Sequence, residues 1–339
     1  MATVAEVATD FQSRQISLAD RTATAVVGLW RGVNPASMSA SWGMVAARAG
    51  VLVQRAQFVM AANVDPYMEN VAEAFGAASL TEAAVRPAGF AAGFTDDGRS
   101  MNGLLLTGPV NAKRSIAGGA SLAGAMDAGA AALRTAVESQ IAGAGSSASM
   151  VSMFMRDAPP PASAEPFKGP GGHMYVHGSD GLVKPYFRPK SYVRMVQAGA
   201  CSRCIILAGK KYGKATPFLR HPRCHCTHIP VDENIDDYPA TDPKAYYESL
   251  SPDARVKAFG AAGVEAIDAG ADMNQVVNAC QGMYVTKTGE QATWMGTTKR
   301  GLYGATNPGQ TRLMPEEIFK VASSREEAVN LLRQYAYIF

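Results

Sequence analysis

Two short cysteine pairs constrain the fold of this chain more than any other feature. Cys201-x2-Cys204 and Cys224-x-Cys226 stand nineteen residues apart in "GACSRCIILAGKKYGKATPFLRHPRCHCTHIPV", which holds four of the five cysteines and three of the five histidines of the 339-residue chain. A C-x2-C turn lets two thiolates reach one ion at about 2.3 Å, and a second pair across a hairpin completes a tetrahedron. Four ligands with no open position predict a structural zinc. The metal would supply stability to a turn-rich segment that has little core of its own. His221, three residues before Cys224, is an alternative ligand, and His225 and His228 are weaker ones. The same sulfurs could instead be reduced and unligated, or form one or two disulfides with the C-x-x-C pair in redox exchange. Clustered cysteines are unlike a secreted disulfide framework, so synthesis in a reducing cytoplasm is expected.

Charge marks the same stretch. Residues 181–231 contain ten Lys or Arg and no Asp or Glu. These cations favour thiolate over thiol, and so metal capture. They alternate with Tyr186, Phe187, Tyr192, Tyr212 and Phe218, a mixture that zinc modules use against phosphate backbones. The candidate nucleic-acid contacts are Arg203, Lys210, Lys211, Lys214, Arg220 and Arg223; the plainer reading is a solvated face around a metal knuckle. The chain's net charge is only +3, so any such tendency is local. No helix long enough to read a groove is evident there, which argues against sequence-specific DNA recognition. The acidic run that follows, with Asp232, Glu233, Asp236, Asp237 and Asp242, could fold back on the basic stretch, but it reads first as a solvated loop because exposed charge pairs contribute little. A catalytic zinc needs an open position and a carboxylate base, which the basic window lacks. With no nucleophile elbow, Walker loop or H-E-x-x-H motif either, the chain is not expected to be an enzyme. His173 and His177 are four apart, but "GPGG" precedes them and they read as loop or surface residues.

Hydrophobic periodicity divides the rest. Apolar positions recur at three- and four-residue steps over 4–33 and 42–63, which predicts two amphipathic helices separated by "NPAS". A short helix is expected over 65–76, a turn at "FTDDGRS" and an Ala-rich helix over 121–142. "GAGSSAS" (143–149) then reads as flexible and "DAPPPASAEPFKGPGG" (157–172) as a Pro/Gly linker. Beyond it, 173–199 predicts short strands. Helices return at "SPDARVKAFGAAGVEAIDAG", with Ser251 as N-cap, at "DMNQVVNACQGM", where Cys280 reads as a small buried hydrophobe, and at "MPEEIFKVA". The last helix, "SREEAVNLLRQYAYIF", opens with a capping box from Ser324 to Glu327 and is expected to dock. The fold class is therefore mainly α, with a helical N-terminal domain (1–150), a linker (151–174) and a small α+β, zinc-stapled module (175–339). No apolar run is long enough for a membrane span, and no membrane partner is expected.

The cysteine block resembles the core of the phage minor head proteins of the MuF-like family. That family carries a C-x-x-C, a Gly-Lys turn and an H-P-x-C-x-C block, matched here by Cys201, Cys204, Gly209, Lys210, His221, Pro222, Cys224 and Cys226. "RLMPEEIFKVASSREEAVNLLRQYAYI" and "GADMNQVVNACQGM" are similar to segments of actinobacteriophage members. The resemblance covers about 190–339 and implies a minor capsid protein made in the host cytoplasm, housed in the capsid interior near the portal. It implies a role in head morphogenesis, with DNA packaging or ejection beside it. The implied partners are the portal protein, the major capsid protein or a scaffold, and packaged DNA through nonspecific backbone contact. The alternatives are a DNA-contacting or injected effector protein and a zinc-dependent hydrolase. His225 stands between Cys224 and Cys226 where Arg or Asp is more usual in the family.

Overall fold

In the computed structural model, which describes residues 2–81, 84–95, 98–178, 180–216, 218, 226–232 and 241–339, about 60% of the chain is helical and 12% strand. The strands form small antiparallel sheets in the C-terminal half. Two compact units emerge, and their boundary is not at the Pro/Gly stretch. The first takes 1–195 and 210–240; the second takes 196–209 and 241–339. The stretch at 151–174 stays with the first unit because its 3₁₀ turns lead directly into a small sheet.

The first unit begins with three helices, α1 (Val4–Arg31), α2 (Met38–Ala62) and α3 (Val64–Ala74). Thr3 and Glu6 make a complete capping box at the start of α1. Two shorter helices follow, α4 (Met101–Leu105) and α5 (Thr107–Ala117), and then α6 (Leu122–Arg156). The bundle packs around two tryptophans. Trp30 and Trp42 meet edge to face at 5.5 Å, and their indole N–H groups donate to Met126 O (2.8 Å) and Leu105 O (2.9 Å). Each buried ring thus keeps its polar edge satisfied.

Helix α6 corrects the expected break at "GAGSSAS". The helix runs through it, and Gly143, Ala144, Gly145, Ser146, Ala148 and Ser149 are buried. A Cβ on Gly145 would come within 3.0 Å of Met60 and 3.2 Å of Gln15 Oε1, so the small residues are a contact surface for α1 and α2. Ser146 and Ser149 donate back to Ala142 O and Gly145 O at 3.0 and 2.8 Å, which hides their hydroxyls inside the helix. Small polar residues look alike in a linker and in a tight helix–helix seam, and composition alone does not separate the two.

Strands β1 (Phe167–Lys168), β2 (Met174–His177) and β3 (Val183–Pro185) form one antiparallel sheet in that order. His177 ends β2 and is exposed, as a surface reading requires. In the next sheet β4 (Ser191–Val196) lies between β5 (Lys211–Gly213) and β6 (Cys226–Val231). Every residue of β4 and β6 is buried, so both strands have lost the polar-out alternation of a one-sided sheet.

The second unit holds α7 (Ser202–Ile206), α8 (Pro243–Ser249), α9 (Pro252–Phe259), α10 (Ala261–Asp268), α11 (Met273–Ala279), α12 (Leu302–Thr306), α13 (Pro315–Val321) and α14 (Arg325–Gln334). A sheet of β7 (Met283–Val285), β8 (Gln291–Thr293) and β9 (Arg312–Leu313) completes it. Ala266, Val276, Met314, Ile318, Leu332 and Tyr337 build its core, so α14 is docked. Ser251 caps α9 as expected, and Ser324 caps α14, but the carboxylate of Glu327 accepts from Ser323, not from Ser324. Cys280 is exposed instead of buried, because it sits in the 3₁₀ turn just past α11 and off that helix's inner face. No helix is long and apolar enough to cross a membrane among the described residues.

Candidate metal and basic site

The first cysteine pair starts a helix. Cys201 is the N-cap of α7, and its Sγ accepts the backbone N–H of Cys204 at 3.4 Å. The exposed N–H groups of a first helical turn favour negative charge, so this turn suits a thiolate. Cys204 is buried, and Ile205 and Ile206 beside it are buried too, in a helix that packs on α8 and α11. The pair follows the end of β4 by four residues, a strand-then-helix setting that the residues alone did not reveal. Gly209 closes the excursion with φ +67°; a Cβ there would lie 2.5 Å from Thr241 O.

Cys226 stands in the other unit, at the start of β6, fully buried. The Arg194 guanidinium on neighbouring β4 donates from Nη1 to its Sγ at 2.8 Å and stacks over the Phe218 ring at 4.2 Å. A cationic donor on sulfur favours the thiolate form. His228 lies further along β6, buried, its imidazole 4.6 Å from Phe218 and 5.3 Å from Tyr192. Its backbone carbonyl accepts from the Tyr67 hydroxyl at 2.9 Å, and burial raises the Tyr67 phenol pKa. Tyr192 stacks on Tyr212 at 5.3 Å and donates to Thr216 O at 2.9 Å; burial pushes its pKa up to about 12.

Cys224, His221 and His225 lie outside the described residues, as do Arg220 and Arg223. Among the described residues, no group of three or more His, Cys, Asp or Glu is placed to hold a metal ion. The donor chemistry on each side is compatible with zinc: each of Cys201 and Cys226 receives an N–H on sulfur, as metal-bound thiolates commonly do.

The basic run finds its counter-charges just outside its own borders. Asp157 forms ion pairs with Arg188 (Nε–Oδ1 2.7 Å) and with the Lys214 ammonium, and Arg188 Nε donates to the Asp157 backbone carbonyl at 2.8 Å. Lys214 also lies 4.8 Å over the Phe154 ring, and burial holds its pKa below the usual lysine value. Asp180 pairs with Lys184 at 2.5 Å. Asp232 is buried and accepts the backbone N–H of Arg188, so this acid folds back on the basic stretch and is not part of a solvated loop. Asp242 caps α8 through Ala245 N at 2.7 Å, and 233–240 lie outside the described residues. Of the candidate DNA contacts, Arg203, Lys210 and Lys211 are exposed, and Lys214 is engaged by Asp157. From the sequence, Arg194 reads only as one cation of the basic run and Asp157 as part of the Pro/Gly stretch, although an arginine in the middle of "SYVRMV" is itself a signal of a buried partner.

A cleft of about 510 Å³ opens between α1 and α3, floored by the stacked Phe11 and Tyr67, and no cysteine lines it. No family model matches the chain, and neither a curated protein nor a solved structure matches it.

Proposed function

We propose that the chain is a structural minor capsid protein of a tailed phage, held near the portal on the capsid interior and acting in head morphogenesis. The helices of the first unit dock the portal, with the major capsid protein or a scaffold as further partners. Zinc held by Cys201, Cys204, Cys224 and Cys226, or by His221 in place of one sulfur, would staple the cysteine block. Arg203, Lys210 and Lys211, with Arg220 and Arg223, would meet packaged DNA along its phosphates.

One observation carries this reading. Four members of the block that resembles MuF-like proteins do a folding job, while Lys210 is exposed: Cys201 caps a helix, Cys204 is buried beside it, Gly209 makes a left-handed turn and Cys226 receives a buried arginine. None of the cysteines of the block lines the α1–α3 cleft.

Two measurements test it. Mass spectrometry of purified particles should find the chain at far lower copy than the major capsid protein; its absence from particles overturns the assignment. Metal analysis of the full chain should find one zinc, and Cys204→Ser should lose the zinc together with thermal stability. Zinc lost with an unchanged melting temperature points to a catalytic or adventitious ion.

A further inference from the structure

Helix α2 is buried on one side and carries an apolar seam on the other. Met44, Val51 and Phe58, seven residues apart, are 79%, 62% and 44% exposed. The seam runs fourteen helical steps from Met44 to Phe58, about 21 Å of helix. Exposed Ala47 lies between the first two large side chains and leaves room for an incoming one. A strict seven-residue spacing drifts about 20° per step around a straight helix, which is the geometry of a left-handed two-helix contact.

Charge selects the occupant. Arg48 and Arg55 border the seam, each four residues after a large apolar one, and both are exposed. They are the only charged residues in α2, and neither forms an ion pair or hydrogen bond within the described residues. A second copy of this face would set guanidiniums against guanidiniums with no acid between them. An apolar stripe flanked by glutamates or aspartates satisfies both features at once.

We infer that the outer face of α2 is a docking surface for an amphipathic helix of another protein, one with an apolar heptad seam bordered by acidic residues. The inference rests on the reading of the first unit as a partner-docking domain and names the face that does it.

The probe is a synthetic 28-residue helix with Leu at the heptad seam and Glu at the flanking positions, labelled for fluorescence anisotropy against the full chain. Its twin carries Lys for Glu. The Glu helix should bind at least tenfold more tightly than the Lys helix, and Val51→Asp should weaken it at least tenfold. Val51 is solvent-exposed, so this variant should keep the wild-type melting curve. The double variant R48E/R55E should reverse the preference, which a folding defect cannot do. Equal binding of both helices, or binding indifferent to these substitutions, overturns the inference. A dimer of the chain alone that Val51→Asp dissociates also overturns it, by giving the face to a second copy. Particle incorporation separates the two readings. If wild type and Val51→Asp enter particles equally, the face is wrong and the head-protein assignment stands. If wild type never enters particles, the assignment falls and the peptide result alone decides the face.

Discussion

Gly209 and Ala336 occupy the same rare backbone region with different side chains. Gly209 has φ +67° and no room for a Cβ beside Thr241 O. Gly209→Ala should lower stability by about 1–2 kcal/mol from the left-handed backbone, plus the clash, read as a lower urea midpoint. Ala336 has φ +54° where α14 ends. There Tyr337 N bonds Leu332 O at 2.8 Å and Ala336 N bonds Arg333 O at 3.0 Å, a Schellman ending whose turning residue is ordinarily glycine. Gly76, Gly119 and Gly270 fill the same place after α3, α5 and α10. Ala336→Gly should therefore raise stability by about 0.5–1 kcal/mol, visible as a higher melting temperature. Sequence marks the three glycine endings plainly, and hides the fourth because alanine reads as helix continuation.

Arg156, the last residue of α6, is buried and ties three parts of the first unit together. It bonds Asp65 Oδ1 on α3 at 3.3 Å, Ser152 Oγ at 3.2 Å and Ser79 Oγ at 2.6 Å. Asp65 in turn accepts from Ser152 Oγ (2.7 Å) and Val85 N (2.7 Å). Removing Arg156 leaves the half-buried Asp65 without its cation, though still bonded by Ser152 and Val85, and deprives Ser79 of its partner, so Arg156→Ala should cost about 3 kcal/mol by denaturant unfolding. A loss below 1 kcal/mol would mean that the pair is hydrated in solution. The helices α1 and α2 are legible from their apolar stripes, since three- and four-residue spacing has one simple reading. The far end of α6 is not, because its contact surface is made of Gly, Ala and Ser, which carry no hydrophobic period. The candidate site divides the same way. The sulfur spacing is visible in the residues, whereas the Arg194–Cys226 contact and the sharing of Asp157 by Arg188 and Lys214 depend on chain reversals that no local pattern encodes.

Across the molecule, burial of phenols sets an alkaline limit. Tyr192 in the first unit and Tyr247 in the second are both pushed up to about 12. A phenol whose folded pKa is raised keeps its full contribution below about pH 10, its ordinary value. That contribution is lost as pH climbs toward 12, because the unfolded chain gives up the proton first. The melting temperature should hold to pH 10 and fall between 10 and 12, in step with tyrosinate absorbance at 295 nm. Early ionisation of all twelve tyrosines near pH 10 in the folded chain would contradict the burial.

The backbone leaves the first unit at 195, re-enters it at 210 and leaves again at 240. On the ribosome, the helices up to Arg156 can associate early, but β6 ends only at Val231, so the sheet that shields Arg194 and His228 must wait for it. A truncation after 195 would expose the fully buried strand β4 without its neighbours, and such an unpaired apolar strand invites aggregation. Neither unit can be cut out as one uninterrupted stretch of gene; a soluble half requires splicing 195 to 210, or 209 to 241.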